Sequence, residues 1–390
     1  MNNEIVELCD NMTDLLKHQD IFYLPHLMNS EEGYIEALKK KFENFLTFSN
    51  DQHVDKILDV DLRILEIICK SILSSIEFYY NGEIEKSYKT VESLFFEHKA
   101  IFFIGSLKRF FDRKQGNDFT FYRARGASNV YEKDLDPLEL FHIPFNKRHL
   151  IQNQRYSLNG IPCLYLGKSV YVCWEELGRI DINKLNVSAF TFNKDSDTNI
   201  LYLAYTLQEV VNFFHQSSYN EAYFLKMEER DWLKKYFYTW TLQAACSIYS
   251  NDINRNYKEE YIFPQILMNV LKKINIQGIA YFSTKGTYNE AFSGNIFVNL
   301  ALPAYQEKDE SHSVSLTSTF KATRSLNYGM WSEIYDKSQK LGDGTLQTPE
   351  KAMSVKMLML NDELKLLYKD TSFYRFEETL NLLTKHNLED

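Results

Sequence analysis

The segment Phe119-Thr-Phe-Tyr-Arg-Ala-Arg125 is rich in aromatic and β-branched residues and reads as a strand. Alternate side chains of a strand share a face, so Phe119, Phe121, Arg123 and Arg125 point one way, and Tyr122 and Ala124 the other. Two planar guanidiniums beside aromatic rings suit a diphosphate, because forked N–H donors match phosphate oxygens. The same pattern equally suits a surface strand carrying two solvated arginines. A second cluster runs from Arg155 to Leu177 and holds Arg155, Tyr156, a turn at Asn159-Gly160, a strand bearing Tyr165 and a helix ending in Glu175 and Glu176. On that helix Val170, Cys173, Trp174 and Leu177 form an i, i+3, i+4, i+7 stripe that faces a core. At ~100° per residue Glu176 flanks the stripe, within reach of a semi-buried pocket, while Glu175 lies nearly opposite in solvent. Glu176→Gln is therefore expected to be damaging and Glu175→Gln nearly silent. A third cluster, Gly278-Ile-Ala-Tyr-Phe-Ser283, puts Ile279, Tyr281 and Ser283 on one strand face. A hydroxyl at a strand end can orient a ligand or simply begin a turn.

Other chemistries lack their residues. The nine histidines are dispersed without an HxxxH or HExxH pair, and His142, in Phe-His-Ile-Pro-Phe, reads as a packed loop residue. No GxSxG elbow, GxGxxG turn or Walker-type loop occurs. The five cysteines, Cys9, Cys69, Cys163, Cys173 and Cys246, include no CxxC and read as reduced thiols, so no metal is expected. With 44 Lys+Arg against 53 Asp+Glu the net charge is −9, which argues against nucleic acid as a bulk electrostatic partner.

These clusters need elements to position them. The 390 residues suffice for about two to three domains. The first hundred read as helical: Val54, Leu58, Leu62, Leu65, Cys69, Ile72 and Ile76 recur at helix spacing, Asn81-Gly82 supplies a stop, and a second helix follows over 83–98. After residue 116 the pattern mixes strands (161–166, 188–192, 278–283, 295–302) with helices (170–177, 221–249, 264–273), which makes the fold class α+β. The stretch 306–313 reads as a loop, and residues 314–390 as one strand-like piece and one or two helices without chemistry.

Taken together, the order Tyr-Arg, Arg-Tyr-Ser-x-x-Gly-x-Pro-x-Leu-Tyr-Leu, Cys-Trp-Glu-Glu and Gly-Ile-x-Tyr-x-Ser closely resembles the RES domain, over about residues 119–305. The resemblance implies an ADP-ribosyltransferase-like fold with a mixed β-sheet core, spanning 111–310. A helical, HEPN-like region at 1–110 precedes it, without the Arg-x4–6-His signature of HEPN ribonucleases, and a C-terminal extension over 311–390 packs on it. It implies an enzyme that consumes NAD as substrate, with Arg123, Glu176 and Ser283 as the catalytic set and Arg125, Arg155, Tyr156 and Tyr165 in the binding pocket. Glu176 would stabilise positive charge on the ribose, Arg123 and Arg155 would hold the phosphates, Tyr165 would stack on nicotinamide, and Ser283 would orient the carboxamide or ribose. The acceptor stays open among water, phosphate and a macromolecular side chain. Alternatives are a mono-ADP-ribosyltransferase acting on a macromolecule and a non-catalytic nucleotide- or partner-binding protein.

The resemblance also implies a cognate antitoxin. The amphipathic helices of the first 110 residues suit association with such a partner or with a second copy. The N-terminus lacks a basic segment followed by an apolar core, and no apolar run approaches the ~18 residues of a membrane span, so the expected location is the cytoplasm.

Overall fold

The computed structural model describes residues 7, 10, 11, 21–29, 31–111, 120–127, 135–193, 198–205, 229–252, 255–285, 294–307, 311–341, 357–361 and 364–388. Phe119, Cys9, residues 221–228 of the expected long helix and 308–310 of the expected loop lie outside this set. The fold is mixed α+β, with helices packed around a ten-stranded mixed sheet.

The amino-terminal part contains β1 (His26–Leu27), α1 (Tyr34–Asp51), α2 (Val54–Leu58), α3 (Leu62–Tyr80) and α4 (Ile84–His98). The apolar run expected as one helix over 51–80 is broken. Asp59 takes a left-handed φ of 56°, and the Asp61 carboxylate caps α3 by accepting from the N–H groups of Arg63 and Ile64. An N-cap carboxylate satisfies donors that the first turn leaves open, so it starts a new helix instead of continuing the old one. Gly82, with φ of 75°, separates α3 from α4 as the sequence indicates.

Then follow β2 (Ile104–Ser106), α5 (Leu107–Phe111), β3 (Thr120–Gly126), β4 (Cys163–Gly167), α6 (Val170–Glu176), β5 (Leu185–Phe192) and β6 (Asn199–Leu203). Next come α7 (Glu229–Ser247), β7 (Ile248–Tyr249), α8 (Ile262–Lys273), β8 (Gly278–Phe282) and β9 (Val298–Pro303). The last part contains α9 (Val314–Thr319), β10 (Phe320–Ala322), β11 (Leu326–Asn327), α10 (Tyr328–Leu341), β12 (Met357–Asn361), β13 (Leu364–Leu367), α11 (Ser372–Leu382) and β14 (His386–Asn387).

Strand order in the large sheet is β14-β10-β5-β3-β4-β9-β8-β6-β2, with β11 also paired to β5. Neighbours are antiparallel except β6 and β8, which run parallel. The C-terminal strands thus extend the sheet beyond β5, and β2 extends its other end. α7 lies against the amino-terminal helices through a cluster of rings, with Phe45 stacked on Trp240 at 4.0 Å and Phe22 edge-on to both. Tyr34 Oη donates to the Ala245 carbonyl, and Tyr238 Oη accepts from the Asp61 N–H, which tie the same layers by polar contacts. Among the described residues no helix is long and apolar enough to cross a membrane.

Candidate active site

α6 is seven residues long, too short to hold its place by helix propensity, so its surroundings fix it. Ser169 caps it: its Oγ accepts from the Val172 N–H at 3.0 Å and donates to the Ile296 carbonyl at 2.6 Å. Gly167 permits the close approach of β4 to the helix, because a Cβ there would lie 2.6 Å from Cys173 Sγ and from Val172 Cγ1. From the C-terminal region, buried Glu377 on α11 accepts from the Val170 N–H at 2.6 Å and from Tyr368 Oη. A carboxylate at a helix N-terminus is favoured by the exposed N–H groups there. Residues 314–390, expected to carry no chemistry, therefore anchor the helix that carries Glu176.

The sheet brings the partners. Register pairs Gly167 with Asn299, and Asn299 with Tyr281, so all three lie on the face that α6 covers. Ser283, two residues past Tyr281, is fully buried, and its N–H bonds the Phe297 carbonyl. Glu176 Oε1 accepts from Ser283 Oγ at 2.6 Å and from Asn299 Nδ2 at 2.7 Å. Ser283 Oγ in turn accepts from the Lys285 N–H at 3.1 Å, which orients its proton toward the carboxylate. Glu176 is itself exposed, and its Oε2 has no hydrogen bond to any described residue. One oxygen is held by the sheet, and the other is left without a hydrogen bond to the described residues.

The structure thus brings Glu176 and Ser283 together as the sequence suggests, and adds Asn299. A buried amide inside the otherwise apolar run Val298–Pro303 was the signal for it. Glu175 reverses its expectation. It is 3% exposed and holds Arg179 through both carboxylate oxygens, at 2.9 and 3.1 Å from Nε. α11 also packs on the helix: Tyr171, outside the apolar stripe, and Trp174, within it, meet Phe373 of α11 at 5.3 and 5.6 Å, so the stripe is not the only covered part of the helix. The Glu175 pair also steadies the left-handed turn at Gly178 (φ 75°) and Arg179 (φ 56°) that ends the helix just past Glu176.

The arginines separate. β3 and β4 pair only at Tyr122–Gly167, whereas β4 and β9 pair at five positions, so the two strands part beyond that point. At this opening Arg123 Nη1 donates to the Tyr165 carbonyl at 2.7 Å. Burial, with the like charge of Arg125, lowers the pKa of Arg123 from the ordinary arginine value. Arg125 is exposed and makes no hydrogen bond or ion pair with a described residue. Arg155 is buried elsewhere. Its Nη1 donates to the carbonyls of Cys246 and Ile248 at 3.0 Å and of Glu260 at 3.3 Å, and its Nη2 reaches Thr284 Oγ1 at 3.4 Å. Arg155 thereby ties the end of α7 to the residue after Ser283.

Tyr281 lies close to the carboxylate, and Tyr156 and Tyr165 adjoin it. The Tyr156 ring meets Tyr281 at 4.5 Å, and Tyr165 Oη accepts from the Tyr156 N–H at 3.2 Å. Burial first, and then the Glu176 charge, raise the pKa of Tyr281 well above the usual phenol value. Burial likewise pushes the thiols of Cys163, Cys173 and Cys246 up to about 12, so they are protonated and poor nucleophiles near neutral pH. His142 is buried, with Nε2 accepting from the Ser313 N–H, as a packed loop residue should be. Among the described residues no group of three or more His, Cys, Asp or Glu could hold a metal ion.

Comparison with known proteins gives one strong sequence match. The Bacillus subtilis (strain 168) protein named “Putative toxin YopC” is 31% identical over 354 residues, covering 86% of this chain and 72% of YopC. Among solved structures, the crystal structure of the M. tuberculosis MbcT–MbcA toxin–antitoxin complex matches with a TM-score of 0.27 and 15% identity, over 56% of this chain and 88% of that one. No protein-family model matches.

Proposed function

The chain belongs to the same family as YopC, and from that premise we propose that it is a toxin of the RES type that cleaves the nicotinamide–ribose bond of NAD. The observation that carries this reading is the Glu176 carboxylate, with Oε1 fixed by Ser283 and Asn299, Oε2 without a hydrogen bond to a described residue, and Tyr281 close by. Leaving of neutral nicotinamide takes the bonding electron pair to its ring nitrogen and leaves oxocarbenium character on the ribose. A fixed carboxylate oxygen beside that carbon stabilises the developing charge without reorganising. Arg123 and exposed Arg125, at the opening between β3 and β4, supply guanidinium donors for the diphosphate. Arg155 acts as a strut for the segment after Ser283, and partly exposed Tyr165 offers an aromatic face for a planar ring, with buried Tyr156 packed behind it. An acceptor oxygen then bonds to the ribose carbon and gives up its proton. Because an NAD-draining protein endangers its own cell, the proposal includes a neutralising protein partner.

Incubation of the purified protein with NAD tests the reading by nicotinamide release. Glu176→Gln should lower the rate by about 10²–10³ while circular dichroism stays unchanged. Run in water, with added phosphate and with cell protein, the assay assigns the acceptor. Absence of nicotinamide release under all three conditions refutes the proposal.

A further inference from the structure

We infer that Asn299 is a positioning residue that keeps the Glu176 carboxylate aimed, an inference that rests on the NAD-cleavage reading above. Asn299 is 4% exposed and sits mid-strand on β9, between Gly167 and Tyr281 on the neighbouring strands. An ionised carboxylate only accepts, so the end of the amide that faces Glu176 must be its NH₂ group, whichever way the amide is drawn. Its bond of 2.7 Å lies in the short range of charge-assisted hydrogen bonds.

The arrangement is asymmetric in a useful way. Ser283 and Asn299 both bond Oε1, and they reach it from strands on two different sides of the loop between β8 and β9. A single hydroxyl leaves the carboxylate free to rotate about its last torsion, whereas two donors from separate strands fix its plane. Gly167 opposite Asn299 has no side chain, so α6 can descend far enough for the contact. The amide is therefore a specific device of this corner and not a filler of the strand pair.

Asn299→Asp tests this with almost no change in size. It sets two carboxylates at hydrogen-bond distance, and such a pair shares a proton and titrates as a unit. The acid limb of the kcat/KM profile for nicotinamide release should rise by about one pH unit or more. Asn299→Ser, too short to reach Oε1, should lower kcat by about ten- to a hundredfold with KM little changed. A ¹³C carboxyl titration of Glu176 in Asn299→Asp needs no substrate and should show the same upward shift. If wild-type protein releases no nicotinamide, the NAD reading fails and the carboxyl titration still decides the role of Asn299. An unshifted Glu176 titration in folded Asn299→Asp, or unchanged kcat in folded Asn299→Ser, overturns the inference. Loss of folding in both variants also overturns it, by placing Asn299 in the scaffold.

Discussion

Polar contacts hold the amino-terminal helices and the α6 corner in opposite ways. Along α3 and α4 the ion pairs Lys70–Glu66, Lys86–Glu83 and Lys89–Glu85 are exposed and span one turn of one helix, while the residues buried beneath are mostly aliphatic. At α6 the polar groups are inside. Ser169, Glu175, Ser283, Asn299 and Glu377 are all buried, and the two bonds to Glu176 bridge 107 and 123 residues of sequence. In the first region the fold rests mainly on apolar area, with the bonds Tyr34–Ala245 and Asp61–Tyr238 tying its layers, and its surface tolerates changes of charge. In the second, hydrogen bonds between distant segments define one geometry, and each depends on several elements already being in place.

The largest expected effect lies in the first region. Phe45 is fully buried against Trp240, Phe22 and Phe237, so Phe45→Ala should cost about 3–5 kcal/mol of stability, read from the denaturation midpoint. Per folded molecule its nicotinamide release should stay near wild type, the reverse of Glu176→Gln. Loss of activity in folded Phe45→Ala would show that the two regions are coupled more closely than their contacts suggest.

Glu175→Gln sharpens the contrast within a single helix. It removes a buried charge but leaves Arg179 able to reach water, so the cost should be about 1 kcal/mol, with a several-fold fall in kcat as the end of α6 loosens. A silent substitution would return Glu175 to the solvated role that helical periodicity alone assigns it. The smallest effect belongs to Lys70→Ala, whose exposed pair with Glu66 should contribute no more than about 0.5 kcal/mol. A larger loss would mean that surface pairs carry more of the helical region than the exposure of both partners implies.

Much of this was readable from spacing. The periodicity of 62–80 and the Asn81-Gly82 stop give α3, the apolar spacing of 170–177 gives α6, and the alternation in 120–126 gives β3. These are local properties, set by the 3.6- and 2-residue repeats of the backbone. The break at Asp59–Asp61 was not legible, because an apolar repeat says nothing about an aspartate that caps instead of continuing. Strand β6 was also missed, as were the short strands β2, β10, β11 and β14, whose two or three residues carry little pattern and gain their identity from the strands they join.

At the site, residue types made Glu176, Ser283 and the arginines candidates, and the order of their motifs, through its resemblance to the RES domain, singled them out. Tertiary structure decided which of them meet. It gave Glu176 a second donor in Asn299, turned Arg155 toward the carbonyls at the end of α7, and buried Glu175 in its pair with Arg179. The physical reason is the range of the interactions. Periodicity reports which face of an element is apolar, but a hydrogen bond between residues 123 positions apart exists only once the strand order has made them neighbours.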